Sequence, residues 1–244
     1  MLSFGASVVY DTDVALVHTR GAWLNDAIIT LWFELLTARA GRNDVLLLHP
    51  ATAFVAAYEE DVADRFAALS SLRLHERRRV LVPVCDASPS TTPCNGSHWT
   101  LLVLEREKED CSDITAVHFD SMTRRGDLCA NDGAASRIAE HLIPLMVAPT
   151  TSTGYAACDS RSTMDVHDRV TLVPGKGGYQ SDGFSCGVFM LLTAHLLLLT
   201  SEGATGDYSG NVTQSAVNMY RDTIRDDIDA LISAYRPRDS VLIK

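Results

Sequence analysis

The chain has 244 residues, 46% hydrophobic and 21% charged, which suits one large or two small domains and excludes wholesale disorder. Acidic residues outnumber basic ones by 31 to 21, for a formal charge of -10, so a broad nucleic-acid-binding face is disfavoured, because phosphate contacts need surplus Lys and Arg. The longest apolar run, Gly187 to Thr200, spans 14 residues and contains His195, too short for a membrane span and of the length of a buried helix. No basic residue precedes Arg20 and residue 2 is leucine, which argues against a secretory n-region and a myristoyl glycine. The expectation is an intracellular protein, cytoplasmic or nuclear.

After a short N-terminal segment, Asn25 is predicted to cap a helix running to about Arg39, with Ile28, Ile29, Leu31, Trp32, Leu35 and Leu36 as its apolar content and Gly41 ending it. Val45 to Leu48 reads as a short strand. Pro50 opens a second helix, in which Phe54, Tyr58, Val62, Phe66 and Leu69 recur at helical spacing. The group Arg73, Arg77, Arg78 and Arg79 reads as a solvated helix end more readily than as a contact for an acidic partner. Val80 to Val84 has strand composition, with Pro83 marking an edge or an irregularity.

A polar loop, Asp86 to Ser97, leads into two strands, Trp99 to Glu105 and Ile114 to Phe119, joined by a charged connector. A helix from about Ala134 to Met146 has Ile138, Leu142 and Leu145 as its buried stripe, and Thr150 to Ser162 reads as a small-residue loop. Arg169 to Val173 is a further strand, broken by Pro174. The most apolar helix starts near Cys186, and the last runs from about Val212 to Tyr235. With no internal repeat and no long linker, this mixed order predicts one α+β domain over residues 1–244.

The six cysteines, at 85, 94, 111, 129, 158 and 186, form no C-x-x-C pair, so a zinc finger or thioredoxin-like site has no support. In a reducing compartment they are expected to be free and mostly inert. Three stretches concentrate chemistry: Gly96-Ser97-His98-Trp99, His118-Phe119-Asp120-Ser121, and Gln180 followed six residues later by Cys186. If the two strands pair antiparallel about a connector centred near residue 109, opposed residues have numbers summing to about 218, which sets His98 against Asp120. A carboxylate there would accept the imidazole Nδ1–H and leave Nε2 as a base.

His118 competes with His98, but its place inside the strand suits a packed residue. Cys186 opens an apolar helix, where the dipole and unpaired amides favour thiolate over thiol. Gln180 and the Cys186 backbone N–H are placed to meet an oxyanion, and Gly187 leaves room for a substrate backbone. His195, nine residues past Cys186, faces away from the thiol. Alone, Cys186 reads as a core cysteine; with His, Asp and Gln in this order it reads as a nucleophile.

The stretches W-L-N-D (Trp23 to Asp26), V-P-V (Val82 to Val84), G-S-H-W-T-L-L-V (Gly96 to Val103), H-F-D-S (His118 to Ser121) and Q-x5-C-G (Gln180 to Gly187) resemble the sentrin-specific, ubiquitin-like-protein cysteine proteases, and within them the compact deneddylase branch. The resemblance covers about Val14 to Tyr235. It implies a papain-like ubiquitin-like-protease fold, α+β, with a mixed central sheet and flanking helices. It implies His98 as base, Asp120 as its orienting partner, Cys186 as nucleophile and Gln180 as oxyanion donor. Trp23 and Trp99 would roof a tunnel that passes only the modifier's C-terminal Gly-Gly, because a Cβ would clash.

Trp23 reads equally as a hydrophobic staple ahead of the helix. Asp26 is implied to pair with an arginine near the modifier's tail, or serves as a favourable acid in the first helical turn. Two departures stand out: Ser185, where the family often has aspartate, and a longer Thr150 to Gly178 region. The function implied is a monomeric cysteine protease or isopeptidase, needing no metal or cofactor, that cleaves after the Gly-Gly of a ubiquitin-like modifier. Deneddylation comes first, with SUMO- or ubiquitin-directed specificity as alternatives. A catalytically silent modifier-binding protein and an acyltransferase on the same triad plan are the other readings. No nucleic-acid or membrane partner is implied.

Overall fold

Strands that are apolar at almost every position must be covered on both faces. Two such strands, β4 (Arg79–Cys85) and β5 (Trp99–Arg106), form the middle of the molecule, and their interiors are buried throughout. The structure is a computed structural model that describes residues 1–87, 96–107, 113–123, 129, 131–147 and 170–235. A five-stranded sheet runs β3 (Val45–Leu47), β4, β5, β6 (Ile114–Phe119), β7 (Leu172–Pro174). Its inner pairs, β4–β5 and β5–β6, are antiparallel and its outer pairs are parallel. The expected mixed sheet with flanking helices is present.

Alternate residues of the strands feed two separate cores. On one face, α2 (Asp26–Ala40), α6 (Cys186–Leu199) and α7 (Gln214–Tyr235) pack over Leu81, Leu101, Val103 and Val117. On the other, α3 (Pro50–Tyr58), α4 (Val62–Ser70) and α5 (Asp132–Val147) contribute to the layer over Val80, Val82, Val84, Leu102 and Leu104. Among the described residues no helix is long and apolar enough to cross a membrane.

The α2 boundaries follow the sequence signals: the Asn25 side chain accepts from Ile28 N at 3.1 Å, and Gly41 takes the left-handed conformation at φ 60°. The expected second helix is two. The chain breaks at Glu59–Asp61, where the Asp61 carboxylate accepts from Ala63 N and Asp64 N and starts α4. Its predicted stripe also faces outward in part: Phe54, Val62 and Phe66 are exposed, while Ala53, Ala56 and Ala57 pack inward. Small residues let α3 approach the sheet closely, a signal that an aromatic periodicity count overlooks. In α5 the inward face adds Ala134, Ala135, Ala139 and Met146 to Ile138 and Leu142, with Leu145 only partly buried.

Pro83 is not on an edge strand, since β4 lies between β3 and β5. The edge is local: β3 ends at Leu47 opposite Leu81, so Pro83, paired with Leu101 on its β5 side, has no ladder partner on the other. The arginine group is also corrected. Arg79 is only 1% exposed; its guanidinium is held by the Glu105 carboxylate, by the Leu197 carbonyl near the end of α6 and by the Glu202 carbonyl. It is a buried structural cation rather than part of a solvated patch.

Three N-terminal elements precede Asn25: β1 (Leu2–Phe4), β2 (Ser7–Val9) and α1 (Asp11–His18). The hairpin is clasped by Glu34, which accepts from Ala6 N, Ser7 N and Ser7 Oγ at 2.8, 3.2 and 2.7 Å. The expected loop over 150–162 lies outside the described residues.

Candidate active site

The site forms where the loop before α6 meets the ends of β5 and β6. Cys186 is the first residue of α6 and is buried. Asp182 shapes the approach. Its Oδ1 accepts from Phe184 N at 3.0 Å and Ser185 N at 2.9 Å; its Oδ2 accepts from Ser185 Oγ at 2.8 Å and Gln214 Nε2 at 3.0 Å. Burial raises the Asp182 pKa, but these donors outweigh it and hold the carboxyl below its usual range. Ser185, the family departure, thus sits within the Asp182 cap, and its carbonyl accepts from Val188 N and Phe189 N at 2.9 Å. The thiol therefore stands at the positive end of a well-anchored helix.

His98 precedes β5 and Asp120 follows β6, and the hairpin brings them together. The observed register sums to 220 rather than 218, pairing Leu102 with His118 and Leu101 with Phe119. The pair therefore sits diagonally just beyond the ladder, a shift of two that keeps both residues at the open end. The ring is also turned relative to expectation: it is Nε2, not Nδ1, that lies 2.7 Å from Asp120 Oδ1. Among the described residues Nδ1 has no hydrogen-bond partner although it is buried, which leaves it as the open nitrogen of the ring.

Burial disfavours the imidazolium, but the Asp120 hydrogen bond and then the Cys186 sulfur outweigh it and raise the His98 pKa to about 9. Asp120 is likewise pushed up by burial and pulled down further by hydrogen bonds from His98, Cys129, Thr123 and Met122 N, leaving it well below the usual carboxylate range. Asp86 fixes the backbone here: it accepts from Ser97 N at 2.6 Å, Ser97 Oγ at 2.5 Å and His98 N at 3.0 Å. From the other side, buried Asn131 donates to the His98 carbonyl at 3.2 Å.

Gln180 is tied to the Asp120 strand end. Its backbone N–H donates to the Ser121 carbonyl and its Oε1 accepts from Ser121 Oγ at 2.7 Å. Its Nε2 donates to the Asp182 carbonyl at 2.7 Å, leaving the second amide hydrogen for another acceptor. Trp23 is 48% exposed, and its Nε1 donates to the Gly183 carbonyl at 2.8 Å. Leu24, not Trp23, is the buried apolar residue directly before the Asn25 cap and is the one placed as a staple. Trp99 is partly buried, donates to the Leu24 carbonyl at 2.9 Å and packs on the core.

Gly187 serves packing: an added Cβ would stand 3.3 Å from Leu24 Cβ and 3.5 Å from Trp99 Cδ1. Asp26 is exposed in the first turn of α2, where its Oδ1 accepts from Ala27 N at 3.0 Å. His118 is a packed residue, held by Asp132 and Thr100, and His195 faces away and pairs with the Tyr220 hydroxyl.

A buried His–Asp pair beside a helix-start cysteine is the arrangement of a thiol peptidase. Residues 22–235 match the Ulp1 protease family, C-terminal catalytic domain. The chain belongs to that family. This Ulp1-family cysteine peptidase is 26% identical over 197 residues to NEDD8-specific protease 1 of Arabidopsis thaliana, covering 81% of this chain and 74% of that one. Its fold is similar to that of the Xanthomonas campestris effector XopD bound to ubiquitin, with a TM-score of 0.57 at 18% identity, covering 85% and 92% of the two chains. It is also similar to the Ulp1 protease domain in complex with Smt3, the yeast ortholog of SUMO, with a TM-score of 0.54 at 15% identity, covering 90% and 83%.

Sequence reasoning missed several supports of the Ulp1-family site. Asp182 had a readable signal, an acid three residues before Ser185 at a helix start. Asp86 and Asn131 had none, because their partners at Ser97 and His98 become neighbours only through strand pairing and the docking of α5.

Proposed function

We propose that this protein is a deneddylating isopeptidase, with Cys186 as nucleophile, His98 as acid and base, Asp120 as its orienting partner and Gln180 as oxyanion donor. The observation that carries the reading is the turned His98 ring: Nε2 on Asp120 at 2.7 Å, with Nδ1 buried and free to serve the sulfur. A thiolate at Cys186 attacks the carbonyl carbon of the modifier's last glycine. The oxyanion takes hydrogen bonds from the spare Gln180 amide hydrogen and the Cys186 N–H. Imidazolium Nδ1–H then protonates the departing lysine amine, leaving a thioester. Water, deprotonated by neutral His98, attacks the thioester and returns the thiolate–imidazolium pair. Trp99 lines the cavity at Cys186 and Trp23 is exposed beside Leu24, whose carbonyl holds the Trp99 indole, which suits the pair to a tail without side chains.

The choice of modifier rests on the relative named as NEDD8-specific. Purified protein is to be treated with vinyl-sulfone probes built on the neddylation modifier, SUMO and ubiquitin. Labelling of Cys186 fastest by the first, and lost in Cys186→Ala, is the expected result. Faster labelling by another probe would replace the modifier; a folded protein that no probe labels would overturn the peptidase reading and favour a silent binder.

A further inference from the structure

Behind Asp120 lies a cluster of side chains that the peptidase chemistry does not use. His118 on β6, Cys129, and Asp132 at the start of α5 each offer one ligand atom, and the three atoms lie within 4.8 Å of one another. We propose that His118, Cys129 and Asp132 bind a zinc-class divalent cation beside Asp120 and that the bound cation lowers peptidase activity, the second part resting on the reading above.

One nitrogen, one sulfur and one carboxylate form a donor set of the zinc type, and a water at the fourth position completes a tetrahedron. Metal–ligand bonds of about 2.0–2.3 Å place ligand atoms about 3.3–3.8 Å apart, so the cluster needs adjustments of about an ångström. The burial pattern allows them: His118 is buried and held, while Cys129 and Asp132 are partly exposed. His118 has the outer partner that a metal-bound imidazole requires, since its Nε2 lies 2.8 Å from Thr100 Oγ1. Thr100 is itself held by Asn131 Nδ2 at 3.1 Å. Backbone donors reach both anionic ligands: Cys129 N donates to Asp132 Oδ2 at 3.1 Å and Asn131 N to Cys129 Sγ at 3.4 Å. Burial and the nearby carboxylates push the free thiol up to about 12, so it is the cation's own charge that displaces the thiol proton.

The proton balance is simple. With its hydrogen on Nδ1, toward Asp132 at 2.8 Å, His118 gives up that hydrogen on binding and Nε2 gains one, so the ring changes tautomer with no net gain or loss of a proton. Cys129 surrenders its thiol hydrogen to solvent, and one proton is released per cation. Cys129 also stops donating to Asp120, with which it shares a hydrogen bond. Asp120 then faces a divalent charge that competes with the imidazolium it stabilises.

The test titrates cobalt(II) into Cys186→Ala protein, which removes the reactive thiol as a ligand. The expected result is one cobalt per chain with a near-ultraviolet thiolate-to-metal band. That band should be absent in the C186A/C129S double variant and retained in C186A/C85S, and affinity should fall about tenfold or more in C186A/D132N, with circular dichroism showing each variant folded. No thiolate band, or a band that survives C129S, overturns the site. Since this readout needs no turnover, its failure leaves the peptidase reading standing, and the converse also holds. For the regulatory part, zinc should slow labelling of Cys186 more in wild type than in Cys129→Ser; equal slowing assigns inhibition to Cys186 itself and overturns that part.

Discussion

Replacing Asp120 by asparagine keeps the size of the side chain and removes the charge that faces His98. His98 is buried, and burial alone would push its pKa below 6.5; the Asp120 hydrogen bond, with help from Cys186, carries it instead to about 9. A rise of that size corresponds to about 3 kcal/mol favouring the charged ring. Its folded value lies above the unfolded one, so this contribution to stability is complete below pH 6.5 and is lost as pH rises through about 9. In Asp120→Asn, burial prevails and the midpoint should drop by about 2.5 pH units or more, to 6.5 or below. At pH 7.5 the charged ring then falls from nearly complete to about a tenth, so kcat/KM should fall about tenfold from protonation alone. Histidine-selective NMR follows the His98 ring directly, and the alkaline limb of the kcat/KM profile should move with it. A His98 midpoint in Asp120→Asn within one pH unit of wild type would refute the reasoning.

Trp23→Ala and Trp99→Ala should separate binding from packing. The exposed Trp23, held by one hydrogen bond, should cost about 1 kcal/mol of stability and mainly raise KM for Gly-Gly substrates, whereas Trp99 should cost about 2 kcal/mol or more in urea unfolding. Gln180→Ala should lower kcat about 100-fold with little change in KM, as loss of one oxyanion donor does; stopped-flow acylation checks it. At Gly178 an added Cβ would come 1.5 Å from the Val212 carbonyl oxygen, so Gly178→Ala should destabilise by about 3 kcal/mol or more, read from denaturant midpoints.

The groups of the candidate site that the structure brings together were legible because each sits beside a strong local signal: His98 before an apolar strand, Asp120 after one, and Cys186 at the start of the most apolar helix. Their orientation was not. A two-residue change in register preserves which residues meet but alters the angle at which the ring arrives, and no pattern in the chain distinguishes Nδ1 from Nε2. The break at Asp61 was hidden because Phe54 to Leu69 keeps helical spacing across it, although the cap residue itself was there to be read. Arg79 was misread for a tertiary reason: its neighbours in sequence are charged, while its neighbours in space are Glu105 and two main-chain carbonyls.

That buried guanidinium bears on where the sulfur stands. Its grip on the Leu197 carbonyl fastens α6 near its tail, and 14 residues at 1.5 Å each make a rod of about 21 Å with Cys186 at the opposite tip. A stiff rod clamped at one end cannot slide lengthwise, so a side chain at the far end of the helix, on β4, fixes the depth at which the Cys186 sulfur stands.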